Sequence, residues 1–84
     1  MIKLEYKYDL QFLAEGKNIN LDEVKKEIAK RVKGDCLLVV GDEGFCRVHY
    51  HTNDPVDVLK YIVEIGCVFS DAQVENMEEQ VNHD

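Results

Sequence analysis

The sequence is poor in features that mark several large classes of protein. It has one proline and five glycines among 84 residues, which excludes a collagen-like chain or a Pro/Gly-rich disordered segment. Its longest unbroken apolar runs are about five residues, as at 37–41, far below the roughly 20 residues that span a bilayer. No charged segment followed by an apolar one opens the chain. We therefore expect no signal peptide, no transmembrane segment and a cytoplasmic location.

Basic residues and paired cysteines are also scarce. Lys and Arg number 10 against 17 Asp and Glu, so the formal net charge is −7. We expect no nucleic-acid partner, because binding a phosphate backbone needs a surplus of positive charge. The three cysteines have no Cys-x-x-Cys spacing, which predicts reduced thiols and no disulfide framework. We interpret Cys36, Cys46 and Cys67, which lie in or beside apolar runs, as small buried hydrophobic residues.

What is present is a succession of strand-like and helix-like patterns. Apolar alternation or a short apolar run predicts strands at 4–13, 36–40, 45–52 and 68–74. A first helix begins after the N-cap Asn20, with Glu23 completing a capping box, and is predicted to end at Gly34. A second begins at Asp54 and Pro55 and ends at Gly66, and its predicted buried stripe is Val56, Leu59, Ile62 and Val63.

The order β-α-β-β-α-β predicts a ferredoxin-like α+β fold. Right-handed crossovers give one four-stranded antiparallel sheet of order 4132 with two helices on one face. We expect a single domain over 1–84, with an ordered core at about 4–76 and an acidic tail at 77–84. The other sheet face would be open to water or to a partner. We place Phe69 on that face, where an apolar side chain would suit a partner.

The sharpest local feature is a pair of histidines, His49 and His51. Residues i and i+2 of a strand point to the same side, which here is opposite to Val48 and Tyr50. In the predicted topology the first strand lies beside this one, and Asp9 has the phase that points to the same open face. Two imidazoles and a carboxylate suit a metal ion with one open position, so we predict a metal site at these three residues. Solvated surface histidines are the alternative.

Other chemistries of this fold lack their residues. The segment 41–44 has two glycines but no Gly-Lys-Ser/Thr element and two carboxylates, so we interpret it as a hairpin turn and not a phosphate loop. A metal-chaperone Met-x-Cys-x-x-Cys motif is missing, no arginine stands in the turn at 16–18, and Ser70 is the sole serine. We assign no catalytic residue.

Several segments carry a family resemblance. They are residues 6–12 (YKYDLQF), 34–42 (GDCLLVVGD), 48–55 (VHYHTNDP) and 74–80 (VENMEEQ). Together they resemble the middle domain of the fatty acid kinase A subunit, a dihydroxyacetone-kinase-like (DhaL-like) family. The resemblance covers nearly all of residues 6–80, and its VHxHT and ENM elements are fairly specific.

The resemblance implies a non-catalytic linking or assembly domain. In that family an N-terminal kinase domain binds ATP and magnesium, and a C-terminal domain engages a separate fatty-acid-carrying subunit. The acyl phosphate product serves phospholipid synthesis. The implied partners are therefore the kinase and C-terminal domains of a parent chain, a second copy of the domain and a fatty-acid-binding subunit. No ATP site is expected in this chain.

The resemblance also implies zinc. Some members bind it through a cysteine of the first strand and the two histidines of VHxHT, positions that fall at Asp9, His49 and His51. Aspartate in place of cysteine predicts weaker binding, because thiolate is the better ligand for tight structural zinc.

Two other functions remain open from the sequence. The same element order serves free-standing regulatory modules that bind a small molecule or a metal. A small hydrolytic metalloenzyme built on the same three residues would need a Glu or His general base beside the metal. A kinase domain encoded directly upstream in the same reading frame would separate the linking domain from a free-standing module.

Overall fold

The computed structural model describes residues 4–82, and it confirms the predicted fold class. The elements are β1 (Tyr8–Glu15), α1 (Leu21–Arg31), β2 (Gly34–Gly41), β3 (Phe45–Thr52), α2 (Pro55–Glu64), β4 (Val68–Asn76) and α3 (Met77–Asn82). The strands form one antiparallel sheet in the order β2-β3-β1-β4, which is the predicted order 4132 counted from the other edge. The short helix α3 occupies most of the segment predicted as an acidic tail, and residues 83–84 lie outside the described residues.

Helix α1 begins as its capping pattern predicts. The Glu23 N–H donates to Asn20 Oδ1 over 3.1 Å, which satisfies one of the free N–H groups of the first turn. Val24 and Ile28 are buried.

The predicted end of helix α1 at Gly34 was wrong, because the helix ends at Arg31 and Gly34 is the first residue of β2. A Cβ at Gly34 would collide with the backbone of β3, so the glycine is needed for close strand packing and not for the helix end.

The buried stripe predicted for helix α2 was right for Ile62 and for the half-buried Leu59, and wrong for Val56 and Val63. Val58, Tyr61 and Ile62 are buried, whereas Val56 is 72% and Val63 56% exposed. Apolar residues surround much of this helix, so spacing alone did not identify which stripe packs on the sheet.

The core lies between the sheet and the two long helices. Residues of β1 and β3 alternate, and Leu10, Phe12, Val48 and Tyr50 are at most 2% exposed. The Tyr50 hydroxyl donates to the Val32 carbonyl over 2.6 Å, which ties the central strand to the C-cap of α1. The alternate residues of the same strands therefore leave the opposite face of the sheet, called here the open face.

Strand β1 begins later than predicted. The sequence pattern starts the strand at residue 4, but the ladder runs over Tyr8–Glu15. The Lys7 N–H donates to the Asn53 side-chain oxygen over 2.7 Å, so this backbone group is satisfied outside the sheet.

Strand β4 has the opposite phase to the one predicted. Phe69 pairs with Ala14, which is buried on the helix-covered face, and its ring meets that of Phe12 edge-on at 6.4 Å. The placement of Phe69 on the open face was therefore wrong. The register between β1 and β4 shifts between Gln11 and Leu13, opposite Asp71, whose φ is +50°. An extra residue of this kind reverses the phase along a strand.

The cysteines divide into two kinds. Cys46 and Cys67 are buried as predicted, but Cys36 is exposed, so that part of the prediction was wrong. Strand β2 has a register shift between Asp35 and Leu38, and Cys36 lies within it with a φ of +57°.

Among the described residues, no helix has the length and apolar character needed to cross a membrane.

Candidate metal centre

The two central strands bring the three predicted metal ligands together. Asp9 of β1 lies directly opposite His51 of β3, and His49 follows on the same face, opposite Gln11. Their strand neighbours Leu10 and Tyr50 are buried under the helices, so the three side chains lie on the open face. The side chains of Asp9, His49 and His51 are 19%, 32% and 25% exposed. They are thus half-buried in the sheet surface and open to solvent on one side.

The donor atoms are close enough to share one cation. Asp9 Oδ1 is 2.8 Å from His49 Nε2 and 3.8 Å from His51 Nε2, and the two Nε2 atoms are 3.4 Å apart. Tetrahedral ligands at zinc distances of 2.0–2.2 Å are separated by about 3.3–3.6 Å. The 3.4 Å distance lies within that range, and the 2.8 Å and 3.8 Å distances lie just below and just above it. Small rotations of the side chains would therefore place all three donors around one ion.

The Asp9 carboxylate has an unsatisfied oxygen. Asp9 Oδ1 is buried and has no hydrogen-bond partner among the described residues, since its 2.8 Å contact with His49 lacks hydrogen-bond geometry. A buried oxygen without a partner costs about 1–3 kcal/mol, and more when it is charged. A cation or an imidazolium would satisfy it. The donor set of two imidazoles and one carboxylate thus fits a divalent ion such as zinc.

Two further potential metal ligands lie on β2, on the side of His51 that is away from Asp9. Asp35 of β2 pairs with His51, and its Oδ1 is 3.5 Å from His51 Nδ1. Cys36 completes a second set, in which one donor atom each of Asp35, Cys36 and His51 lie within 4.8 Å of one another. Sequence reasoning missed both residues, because it treated 36–40 as a regular buried strand and no residue type there signals the irregularity in β2.

The surroundings of the site are acidic. Loss of solvent around the sulfur, and then the negative charge of Asp35, raise the pKa of the Cys36 thiol. Glu75 of β4 lies opposite Asp9 on the other side of β1. A local surplus of carboxylates attracts cations and disfavours anionic ligands at this end of the open face.

Comparisons with known proteins agree on one family. A family model for the middle domain of proteins like the fatty acid kinase A subunit matches residues 5–84. Protein YloV of Bacillus subtilis is 35% identical over 69 residues, which is 74% of this chain and 12% of that protein. Uncharacterized proteins of Staphylococcus saprophyticus and Staphylococcus haemolyticus are 47% and 45% identical over 47 residues, 56% of this chain and 8% of each protein. The chain thus spans about a tenth of the length of these relatives.

Proposed function

The chain belongs to the family of middle domains of proteins like the fatty acid kinase A subunit, and we propose that it is the linking and assembly domain of a two-component fatty acid kinase. The observation that carries the proposal is the match of the family model over residues 5–84. In this role the domain positions a kinase domain and a C-terminal domain of one parent chain, and the fatty acid is held by a separate partner subunit. The assembly works in the cytoplasm and supplies acyl phosphate for phospholipid synthesis.

The phosphoryl transfer itself is assigned to the kinase domain. Transfer from ATP needs a loop that cradles the phosphates, a basic residue and carboxylates that hold magnesium. The 84-residue sequence has no Gly-Lys-Ser/Thr element, and its most glycine-rich turn, 41–44, carries two carboxylates. Asp42 Oδ1 accepts hydrogen bonds from the Gly44 and Phe45 N–H groups, so this carboxylate is used to close the hairpin turn.

An assay of the isolated chain tests this division of labour. With ATP, magnesium and a fatty-acid-loaded partner subunit, we expect no acyl phosphate above the background without protein. Turnover that follows the concentration of the chain would show that it is catalytic on its own, and would end the linking-domain proposal.

The apolar part of the open face, which borders the histidines at Leu38, is proposed to bind a second copy of the domain. Leu38, Val40, Phe45 and Val68 point to this side and are 56%, 62%, 42% and 70% exposed. Contact through apolar side chains lets two copies meet although each carries a net charge of −7. These residues belong to three strands, which suits a flat pairing of two sheets.

Sedimentation of two matched variants tests the dimer. Val40→Asp places a charge in the proposed interface and should give a monomer, whereas Val56→Asp, at an exposed position of helix α2, should leave the dimer intact. A wild-type monomer at high micromolar concentration, or equal behaviour of the two variants, would contradict the proposal.

We further propose that Asp9, His49 and His51 hold a zinc ion. The unsatisfied Asp9 Oδ1 supports this assignment, and the ion would supply positive charge that joins β1 to β3 across the open face. Calorimetric titration with zinc should show binding that His49→Ala and His51→Ala each weaken. Identical weak heats in all three proteins would mean that the histidines are solvated surface residues.

A further inference from the structure

The irregularity in strand β2 places two consecutive side chains on one face. Asp35 pairs with His51 and Leu38 with His49, so a step of three residues in β2 faces a step of two in β3. In a regular strand Asp35 and Cys36 would point to opposite faces, and Cys36 would be buried opposite Tyr50. Here Leu37 packs against the core instead, and Cys36 is exposed. The bulge therefore brings a thiol to the open face beside His51.

The backbone at Cys36, where the thiol reaches the open face, has an uncommon conformation. Its φ of +57° lies in the left-handed region, which non-glycine residues adopt at a cost of about 1 kcal/mol or more. Regular pairing continues beyond the bulge, since Val39 faces Val48 and Val40 faces Arg47. The strained position thus lies inside a well-paired strand, and it coincides with the one exposed cysteine of the described residues.

We propose that Asp35, Cys36 and His51 form a second cation site, which takes a soft divalent ion such as cadmium. One donor atom of each lies within 4.8 Å of the others, and Asp35 approaches His51 through Nδ1. Asp9 and His49 approach His51 through Nε2. The thiol loses its proton to solvent as the metal–sulfur bond forms. Thiolate favours soft ions, so this site differs in preference from the nitrogen and oxygen donors of Asp9 and His49.

The two sites share His51 and therefore compete. A neutral imidazole has one nitrogen with a free lone pair, because the other carries the proton. An ion on the Cys36 side uses Nδ1 and leaves Nε2 protonated, whereas an ion on the Asp9 side needs the reverse tautomer. The chain consequently binds one ion at a time through His51, and the softness of the ion decides the side. Neither binding mode depends on a role in a fatty acid kinase.

Cadmium(II) is a suitable probe, because a thiolate ligand gives it a charge-transfer absorption in the ultraviolet. Titration of the 84-residue chain should produce this band and saturate at one ion per chain. Cys36→Ser and His51→Ala should abolish the band. His49→Ala should keep it, because His49 contacts only the other side of His51. Cys46→Ala is the matched thiol control and should also keep it, since Cys46 is buried in the core.

Alkylation gives a second measurement that does not depend on the absorption band. Iodoacetamide should modify Cys36 first, and saturating cadmium should slow that modification on the order of tenfold or more, because a metal-bound thiolate is a poor nucleophile. Absence of the band in the wild type, its persistence in Cys36→Ser, or an unchanged alkylation rate with cadmium would each overturn the second site. Circular dichroism of every variant verifies that the fold is kept.

Discussion

Replacing Tyr50 by phenylalanine tests how the fold orients the site. The Tyr50 hydroxyl donates to the Val32 carbonyl over 2.6 Å, and both residues are buried, at 2% and 4% exposure. This bond joins β3, the strand that carries both site histidines, to the end of α1. Phenylalanine keeps the ring and its packing, so the substitution removes the hydrogen bond alone.

The expected loss follows from the burial of the bond. A net hydrogen bond contributes about 1 kcal/mol, and a buried carbonyl left without a partner raises the cost to about 1–3 kcal/mol. For a domain of this size each kcal/mol lowers the melting temperature by about 4–8 °C, so we expect a loss of roughly 4–24 °C. Cation binding should be unchanged, because the register of β3 against β1 rests on the backbone ladder.

Urea unfolding followed by circular dichroism measures the effect. The midpoint should fall with an unchanged slope, which separates a loss of stability from a change in the unfolded state. Tyr8→Phe is the control, since it removes a phenol hydroxyl from half-buried Tyr8 and should change stability by less than about 0.5 kcal/mol. Equal losses in the two variants would refute the role of the Tyr50 bond as an anchor of β3.

Three further predictions concern stability. Burial raises the pKa of Tyr50 above its usual value of 10.0, so the folded state keeps this proton longer than the unfolded state. Stability should fall as the pH rises above about 10 and fall less in Tyr50→Phe, which urea midpoints along a pH series would test. Gly34→Ala should cost about 1–3 kcal/mol in chemical unfolding because its Cβ meets β3, whereas Gly44→Ala, with its nearest atom at 3.6 Å, should be nearly neutral. Asn20→Ala should cost about 0.5–2 kcal/mol in thermal unfolding, and an unchanged melting temperature would contradict its role as the cap of α1.

The sequence carried enough information for the fold and for the first donor set. Strand β3 alternates without interruption, so Val48 and Tyr50 had to face the core and His49 and His51 the other side. The crossover rule then placed β1 beside β3, which brought Asp9 to the histidines. These steps depend on regular periodicity and on chain topology, both of which are visible in one sequence. Metal binding at these residues stays a prediction.

Two errors about which face of the sheet a residue lies on occur where an irregular residue breaks the period. The bulge in β2 exposed Cys36, and the irregularity at Asp71 moved Phe69 to the helix-covered face. No glycine or proline marks either position, so the phase beyond it could not be inferred. Helix α3 was missed for another reason. Asn76 accepts a hydrogen bond from the Glu79 N–H, the same Asn-x-x-Glu pattern that predicted α1, but the acidic composition of 77–84 favoured a tail.

A domain exchange tests the proposed function most directly. The middle domain of a fatty acid kinase A subunit is replaced by this chain, and acyl phosphate formation from ATP is measured with a fatty-acid-loaded partner subunit. The matched control replaces the same domain by a flexible linker of equal length. We expect the chimera to keep substantial activity and the linker control to lose it. A folded chimera no more active than the linker control would contradict the assignment of this chain as a linking and assembly domain.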